Sequence, residues 1–153
     1  RYNDQFILKP DYEKPVYFNY AMDSHVVILK LFPGISEESV RAHLGIPGLK
    51  GVVLETYGTG NSPIYPWFTD LLQDAIERGI VILNVTQCLY GGVEMYRYEN
   101  GQRLEKLGAV SGHDITTEAA LAKLMILFGE GKTPAEVSRL MSVSLRGELT
   151  VRG

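Results

Sequence analysis

The residues Thr56-Tyr57-Gly58-Thr59-Gly60-Asn61-Ser62-Pro63 combine types that could hold a small polar ligand. Gly58 and Gly60 let the backbone bend sharply and approach another molecule closely. Asn61 offers both a donor and an acceptor. The segment follows the apolar run Leu49-Lys50-Gly51-Val52-Val53-Leu54-Glu55 and precedes an amphipathic stretch, Ile64 to Glu77. A strand, a glycine-rich bend and a helix make the first half of a βαβ unit. Ligands of open α/β sheets gather at such bends, outside the carboxyl ends of the strands. Every α/β protein has bends of this kind, so the pattern alone marks an edge and not a ligand.

Other chemistry-bearing residues are scattered. His25, His43 and His113 have no metal-ligand spacing, and no metal or cofactor is expected. His43 reads as a surface residue of a helix. His113-Asp114 follows a strand end, where Asp114 reads as a loop cap. There is no GxSxG elbow and no GxxxxGK[ST] loop. A lone cysteine such as Cys88 is more often a buried small hydrophobe than a nucleophile. Tyr90, Tyr96, Tyr98 and Glu99 share one segment without clear period. They suit a ligand pocket or an interface, and tyrosines favour the second. Arg146-Gly147-Glu148 reads either as an ion-pair clamp or as a solvated turn, the turn being the default. No complete catalytic set is present.

The elements that must position these residues follow a regular rhythm. Residues 1–25 read as an irregular interdomain linker, with Pro10 and Pro15, and residues 26–153 as one domain. Val26 to Phe32 is β-branched and nearly continuous, as suits a strand buried on both faces. Ser36 is an N-cap, with Glu37 and Glu38 in the first turn of a helix reaching Leu44. A strand over Gly51–Thr56 leads to a helix whose inner face carries Ile64, Phe68, Leu71, Leu72, Ala75 and Ile76. Gly79 stops that helix. A third strand spans Ile80–Val85, the loop Thr86–Gly101 follows, and Gly108–Gly112 is a fourth strand. Thr116 or Thr117 caps a helix whose stretch Ala119–Phe128 is apolar nearly all round, predicting heavy burial. Thr133-Pro134 opens the last helix, with Val137, Leu140 and Met141 facing inward. The alternation predicts an α/β fold: a small four-stranded parallel sheet, helices on both faces, flavodoxin-like in order. Its active edge holds the loops after Phe32, Thr56, Val85 and Gly112.

Composition excludes several classes. The chain has 153 residues, 45% hydrophobic and 22% charged, with a formal net charge of -3. That suits one domain with a real core and gives no basis for binding nucleic acid or an anionic membrane. Ala119–Phe128 contains Lys123 and is too short to span a bilayer. One cysteine permits no internal disulfide and fits a reducing compartment. No signal peptide is visible, and the absence of an initiator Met is consistent with a piece of a longer chain.

Several blocks, in order, resemble the C-terminal domain of type I bacterial cytoplasmic L-asparaginases. "FPGIS" at 32–36 is similar to the family's "YPGIS", and "GLKGVVLETYGTGNSP" to "ALILRSYGVGNAP". "ERGIVILNVTQCLYGGVEMYRYENG" resembles a segment containing "RGIVVVNLTQC" and a later "Y-x-x-G". "GAVSGHDITTEAALAKL" resembles "GVIGGADMTVEATLTKL", and "SLRGELT" resembles "NLRGELT". The resemblance covers about Pro33 to Thr150.

In that family the threonine nucleophile and its Thr-Lys-Asp helpers lie in a larger N-terminal domain, whose "TGGT" and "HGTDT" signatures are absent from this sequence. The resemblance therefore implies the smaller half of an enzyme that hydrolyses L-asparagine to aspartate and ammonia. It implies a homodimer or homotetramer in which this domain completes the neighbour's active site, and a cytoplasmic location. By position, Asn61 lies on the loop approaching that site. A second asparagine of the periplasmic branch is Pro63 here. The glutamate that meets the substrate ammonium aligns with Tyr98, beside Glu99. The arginine of an allosteric asparagine site aligns with Glu55, and its cysteine with Cys88. Reversal of charge at Glu55 should repel a carboxylate. Two other readings remain: a free-standing noncatalytic ligand-binding or dimerisation module, and the asparaginase-like subunit of an archaeal tRNA amidotransferase. The "LRGELT" tail favours the asparaginase domain.

Overall fold

The computed structural model describes residue 15 and residues 18–88, 91–95 and 99–150. Among them, strands β1 (Val26–Lys30), β2 (Gly51–Thr56), β3 (Val81–Thr86) and β4 (Val110–Ser111) alternate with helices α1 (Glu37–Leu44), α2 (Pro66–Glu77) and α3 (Glu99–Leu107). Helices α4 (Thr117–Gly129) and α5 (Pro134–Met141) follow. The strands form one parallel sheet in the order β1-β2-β3-β4. Val26 pairs with Gly51, Gly51 with Val81, and Leu83 with Val110.

The four-stranded parallel α/β sheet read from the sequence is present, with helices on both faces. Its order is sequential, whereas the flavodoxin order reverses once. Successive right-handed crossovers in one direction put their helices on one face. Val40 and Leu44 of α1, Phe68 and Leu72 of α2 and Leu104 of α3 accordingly share a core with Val52, Leu54 and Ile82. After β4 the chain crosses to the other face. There Ala120, Leu124 and Leu127 of α4 and Val137 and Met141 of α5 pack on Val53, Leu83 and Val85. Neighbouring residues of β2 and β3 thus enter opposite cores, which explains their continuous apolar runs. Strand β1 departs from the sequence expectation: it ends at Lys30, not Phe32, and as an edge strand it is not buried on both faces, with Ile28 exposed.

Local signals set most boundaries. Ser36 and Thr116 cap α1 and α4 through their hydroxyls, and Thr133 forms a capping box with Glu136 ahead of Pro134. Gly79 follows α2 with φ of 87°, the left-handed conformation that glycine tolerates best. Strand β3 begins and ends one residue later than the sequence pattern suggests.

Three further expectations need correction. Helix α2 begins at Pro66, not Ile64. The residue before a proline is pushed into extended backbone, and Ile64, ahead of it, is 66% exposed instead of facing the core. Helix α3 has no counterpart in the sequence pattern, which gives loop up to Gly101. Gly101, a poor helix former, sits inside its first turns. A Cβ there would meet the Met95 carbonyl oxygen at 2.6 Å, so the glycine serves close packing. Helix α4 is buried along one side only: Ala122 and Ile126 are exposed. They line a cleft of ≈ 730 Å³ between α4, α5 and the turn at Leu145–Glu148.

No helix among the described residues is long and apolar enough to cross a membrane. Of residues 1–25, read as a linker, all but 15 and 18–25 lie outside the described residues; 18–25 are irregular and lie against α4. The Asp23 amide donates to the Met125 carbonyl at 2.9 Å. Asp23 also pairs with Lys50 at 2.6 Å and with the His25 ring at 2.6 Å. These contacts hold its carboxyl well below the usual carboxylate range.

Candidate functional site

The carboxyl edge of the sheet is built from side chains that satisfy its ending strands. The Thr56 hydroxyl donates to Asn84 Oδ1 at 2.6 Å, and Asn84 Nδ2 donates to the Gly60 carbonyl at 3.4 Å. The Thr86 hydroxyl donates to the Gly58 carbonyl and accepts from the Cys88 amide at 3.0 Å. Gln87 Nε2 donates to the Leu31 carbonyl at 2.6 Å and the Glu55 carbonyl at 2.8 Å, closing the ends of β1 and β2 together.

On this frame sits a short turn. The Tyr57 amide donates to the Asn61 carbonyl at 2.9 Å, and the Asn61 amide to the Tyr57 carbonyl at 2.8 Å. Gly60 takes φ of 112°, which only glycine adopts readily. The Asn61 side-chain amide makes no hydrogen bond among the described residues. It is half-buried. Burial, and then the neighbouring Tyr65, push the Tyr57 phenol above its ordinary range, so it is neutral at physiological pH.

Two further segments join the turn. The Glu94 amide donates to the Thr59 carbonyl at 2.9 Å, and the Val93 amide to the His113 carbonyl at 2.7 Å. His113, after β4, has φ of 54°, a conformation uncommon for a non-glycine residue. Asp114 beside it accepts from the Thr150 amide at 2.7 Å. Burial raises its pKa, but the Thr150 hydrogen bonds outweigh this and lower it. The loop-capping reading of Asp114 thus holds, with the chain's tail as its partner.

The remaining sequence-derived candidates distribute as follows. Tyr90, Tyr96 and Tyr98 lie outside the described residues. Glu99 opens α3, and its side chain is likewise outside the description. Cys88 is exposed and free, not the buried hydrophobe that the sequence suggests. Glu55 lies on β2, where Lys30 pairs with it at 3.2 Å and the Thr117 hydroxyl donates to it at 2.6 Å. His43 is half-buried, not a surface residue, and its ring Nδ1 lies 2.7 Å from the Ser39 carbonyl, one helical turn back. Among the described residues no three His, Cys, Asp or Glu converge as a metal site would require.

Sequence reasoning missed two features. Asn84 gives a signal in hindsight, a lone amide in an aliphatic strand. The other is Lys123, 7% exposed, whose ammonium pairs with Glu148 at 2.6 Å and donates to the Val143 carbonyl at 2.5 Å. Glu148 also accepts from the Leu145 and Arg146 amides. Arg146 and Gly147 are exposed, as the solvated-turn reading expects, while Glu148 is half-buried and forms its ion pair with Lys123 instead of Arg146.

Comparison with known proteins agrees with this geometry. Residues 25–141 match the glutaminase/asparaginase C-terminal domain family. The chain is 42% identical over 149 residues to a human 60 kDa lysophospholipase, covering 97% of this chain and 26% of that protein. It is 42% identical over 123 residues to L-asparaginase 1 of Escherichia coli K12, covering 80% of this chain and 36% of that enzyme. The crystal structure of L-asparaginase I from Vibrio cholerae superposes with a TM-score of 0.79 at 40% identity, covering 84% of this chain and 39% of that one. The chain thus spans about a quarter to two fifths of the length of these relatives.

Proposed function

The chain belongs to the glutaminase/asparaginase C-terminal domain family, and from this premise we propose that it completes the active site of an L-asparaginase. In this reading the whole polypeptide hydrolyses L-asparagine to L-aspartate and ammonia. An upstream domain carries the nucleophile, and this domain closes the site of a neighbouring subunit in a homodimer or homotetramer. The cytoplasm is the proposed compartment, in keeping with a lone free cysteine. The observation that carries the reading is the braced carboxyl edge. Its turn offers an unpaired amide, Asn61, where α/β sheets take ligands. An amide there can both donate to a carboxylate and accept from an ammonium.

Tyr98 and Glu99 are assigned to the substrate's ammonium, across the subunit interface. Loss of one charge-assisted contact costs about 1.5–3 kcal/mol, roughly a tenfold to hundredfold loss in kcat/KM. Tyr98→Phe and Glu99→Gln, made separately in the full-length polypeptide, should include at least one variant with that loss. Normal kinetics in both, with the oligomer intact, would refute the assignment.

Glu55 bears on regulation. Its carboxylate is committed to Lys30 and Thr117, and it offers only acceptors to an incoming carboxylate. Saturation by asparagine should therefore be hyperbolic, with a Hill coefficient near one. A clearly sigmoidal curve, together with asparagine bound beside Cys88 in a crystal, would contradict this.

A further inference from the structure

Asn84 interrupts a strand whose other residues from Val81 to Val85 are aliphatic and buried. It is itself fully buried, so its amide must find partners inside the protein. Those partners belong to the carboxyl edge. Oδ1 accepts from Thr56, Nδ2 donates to the Gly60 carbonyl, and the Asn84 carbonyl accepts from the Gly112 amide at 2.8 Å. Thr86, two residues on and so on the same face of β3, holds the Gly58 carbonyl. Alternate side chains of one strand thus grip alternate carbonyls of one turn.

Gly60 is enclosed at this point. A Cβ added to it would meet Val93 Cγ1 at 2.9 Å and Asn84 Nδ2 at 3.2 Å. Asn61 comes next in the chain, and no hydrogen bond within the described residues orients its side-chain amide. Its direction is set by the backbone that Asn84 and Thr86 hold. We propose that Asn84 is a positioning residue that aims Asn61 at a bound amino-acid amide, acting through the Gly60 carbonyl. The proposal rests on the asparaginase reading of the same edge. Through the Glu94–Thr59 contact the brace also reaches the segment that leads toward Tyr98 and Glu99.

The test uses the full-length polypeptide and steady-state hydrolysis of L-asparagine. Asn84→Leu keeps the branched heavy-atom shape and removes every side-chain hydrogen bond. It should raise KM by about tenfold or more while kcat stays within about threefold, the size expected for a lost ligand contact. Thr56→Val should shift KM the same way, and Thr56→Ser, which keeps the hydroxyl, should restore it. A fall in kcat alone reflects lost folded enzyme and overturns the proposal, as do unchanged kinetics. If Asn84→Leu does not fold, Thr86→Val at the half-buried rim carries the same KM expectation, and an unchanged KM there overturns it. Should the unmodified polypeptide not hydrolyse asparagine, the asparaginase reading fails separately. Exchange of the Asn61 amide hydrogen then decides the brace: faster exchange in Asn84→Leu or Thr86→Val upholds it, and unchanged exchange overturns it.

Discussion

The chain by itself should release no ammonia from L-asparagine above the uncatalysed background. An acyl-enzyme route needs a hydroxyl beside a base that takes its proton. The residues that resemble the family's sequence belong to its smaller domain, and the "TGGT" and "HGTDT" blocks that carry the nucleophile and its helpers are not in this sequence. Asn61 can orient a substrate but cannot attack it. Removal of a nucleophile costs on the order of a millionfold in kcat where it has been measured. Binding residues contributed to a neighbour's site cannot supply that term. Purified chain, incubated with millimolar asparagine and assayed for ammonia, should match buffer. Turnover that copurifies with the chain and survives removal of host asparaginase would contradict the expectation.

Lys123→Met should destabilise the domain by about 3 kcal/mol, a fall of roughly 10 °C in Tm. The ammonium is nearly sealed between α4 and the turn at Leu145–Glu148, and the Glu148 side chain facing it is 13% exposed. Removing the cation leaves a carboxylate desolvated beside the cleft. Lys123→Met combined with Glu148→Gln removes both charges and should recover much of the loss. Burial alone would raise the Glu148 pKa, but the Lys123 contact and the Leu145 and Arg146 amides bring it down to about 2. A carboxyl whose folded pKa is depressed stabilises fully above its unfolded value, near 4.5, and loses that contribution as pH falls toward 2. Acid unfolding in that window should therefore be shallower in Glu148→Gln than in the unmodified chain. Equal melting temperatures for Lys123→Met and the unmodified chain would show that the clamp adds nothing.

The sequence made the strands and most helices legible because their signals are local. β-branched runs, Ser36, Thr116, Thr133-Pro134 and Gly79 act within a few residues of where they stand. Helix α3 was illegible because Gly101, chosen for its approach to Met95, conceals a helical segment with one fully buried apolar anchor, Leu104. Strand order was illegible for another reason. Right-handed crossovers are compatible with either edge of a growing sheet. The Lys123–Glu148 clamp joins distant parts of the chain, so the one half-buried carboxylate of an otherwise exposed turn is not visible in sequence. At the candidate site, the bend that carries Asn61 was legible from Gly58 and Gly60. Asn84 was not, because its role depends on parallel pairing of β2 with β3, which brings Thr56 and Gly60 to it.

Product analysis of the full-length polypeptide tests whether this domain serves an enzyme acting on asparagine. Incubation with L-asparagine should yield aspartate and ammonia in equal amounts at a saturable rate. A folded, full-length polypeptide that leaves asparagine intact while cleaving a lysophospholipid, or that releases ammonia only in the presence of a tRNA-charging partner, would contradict the account.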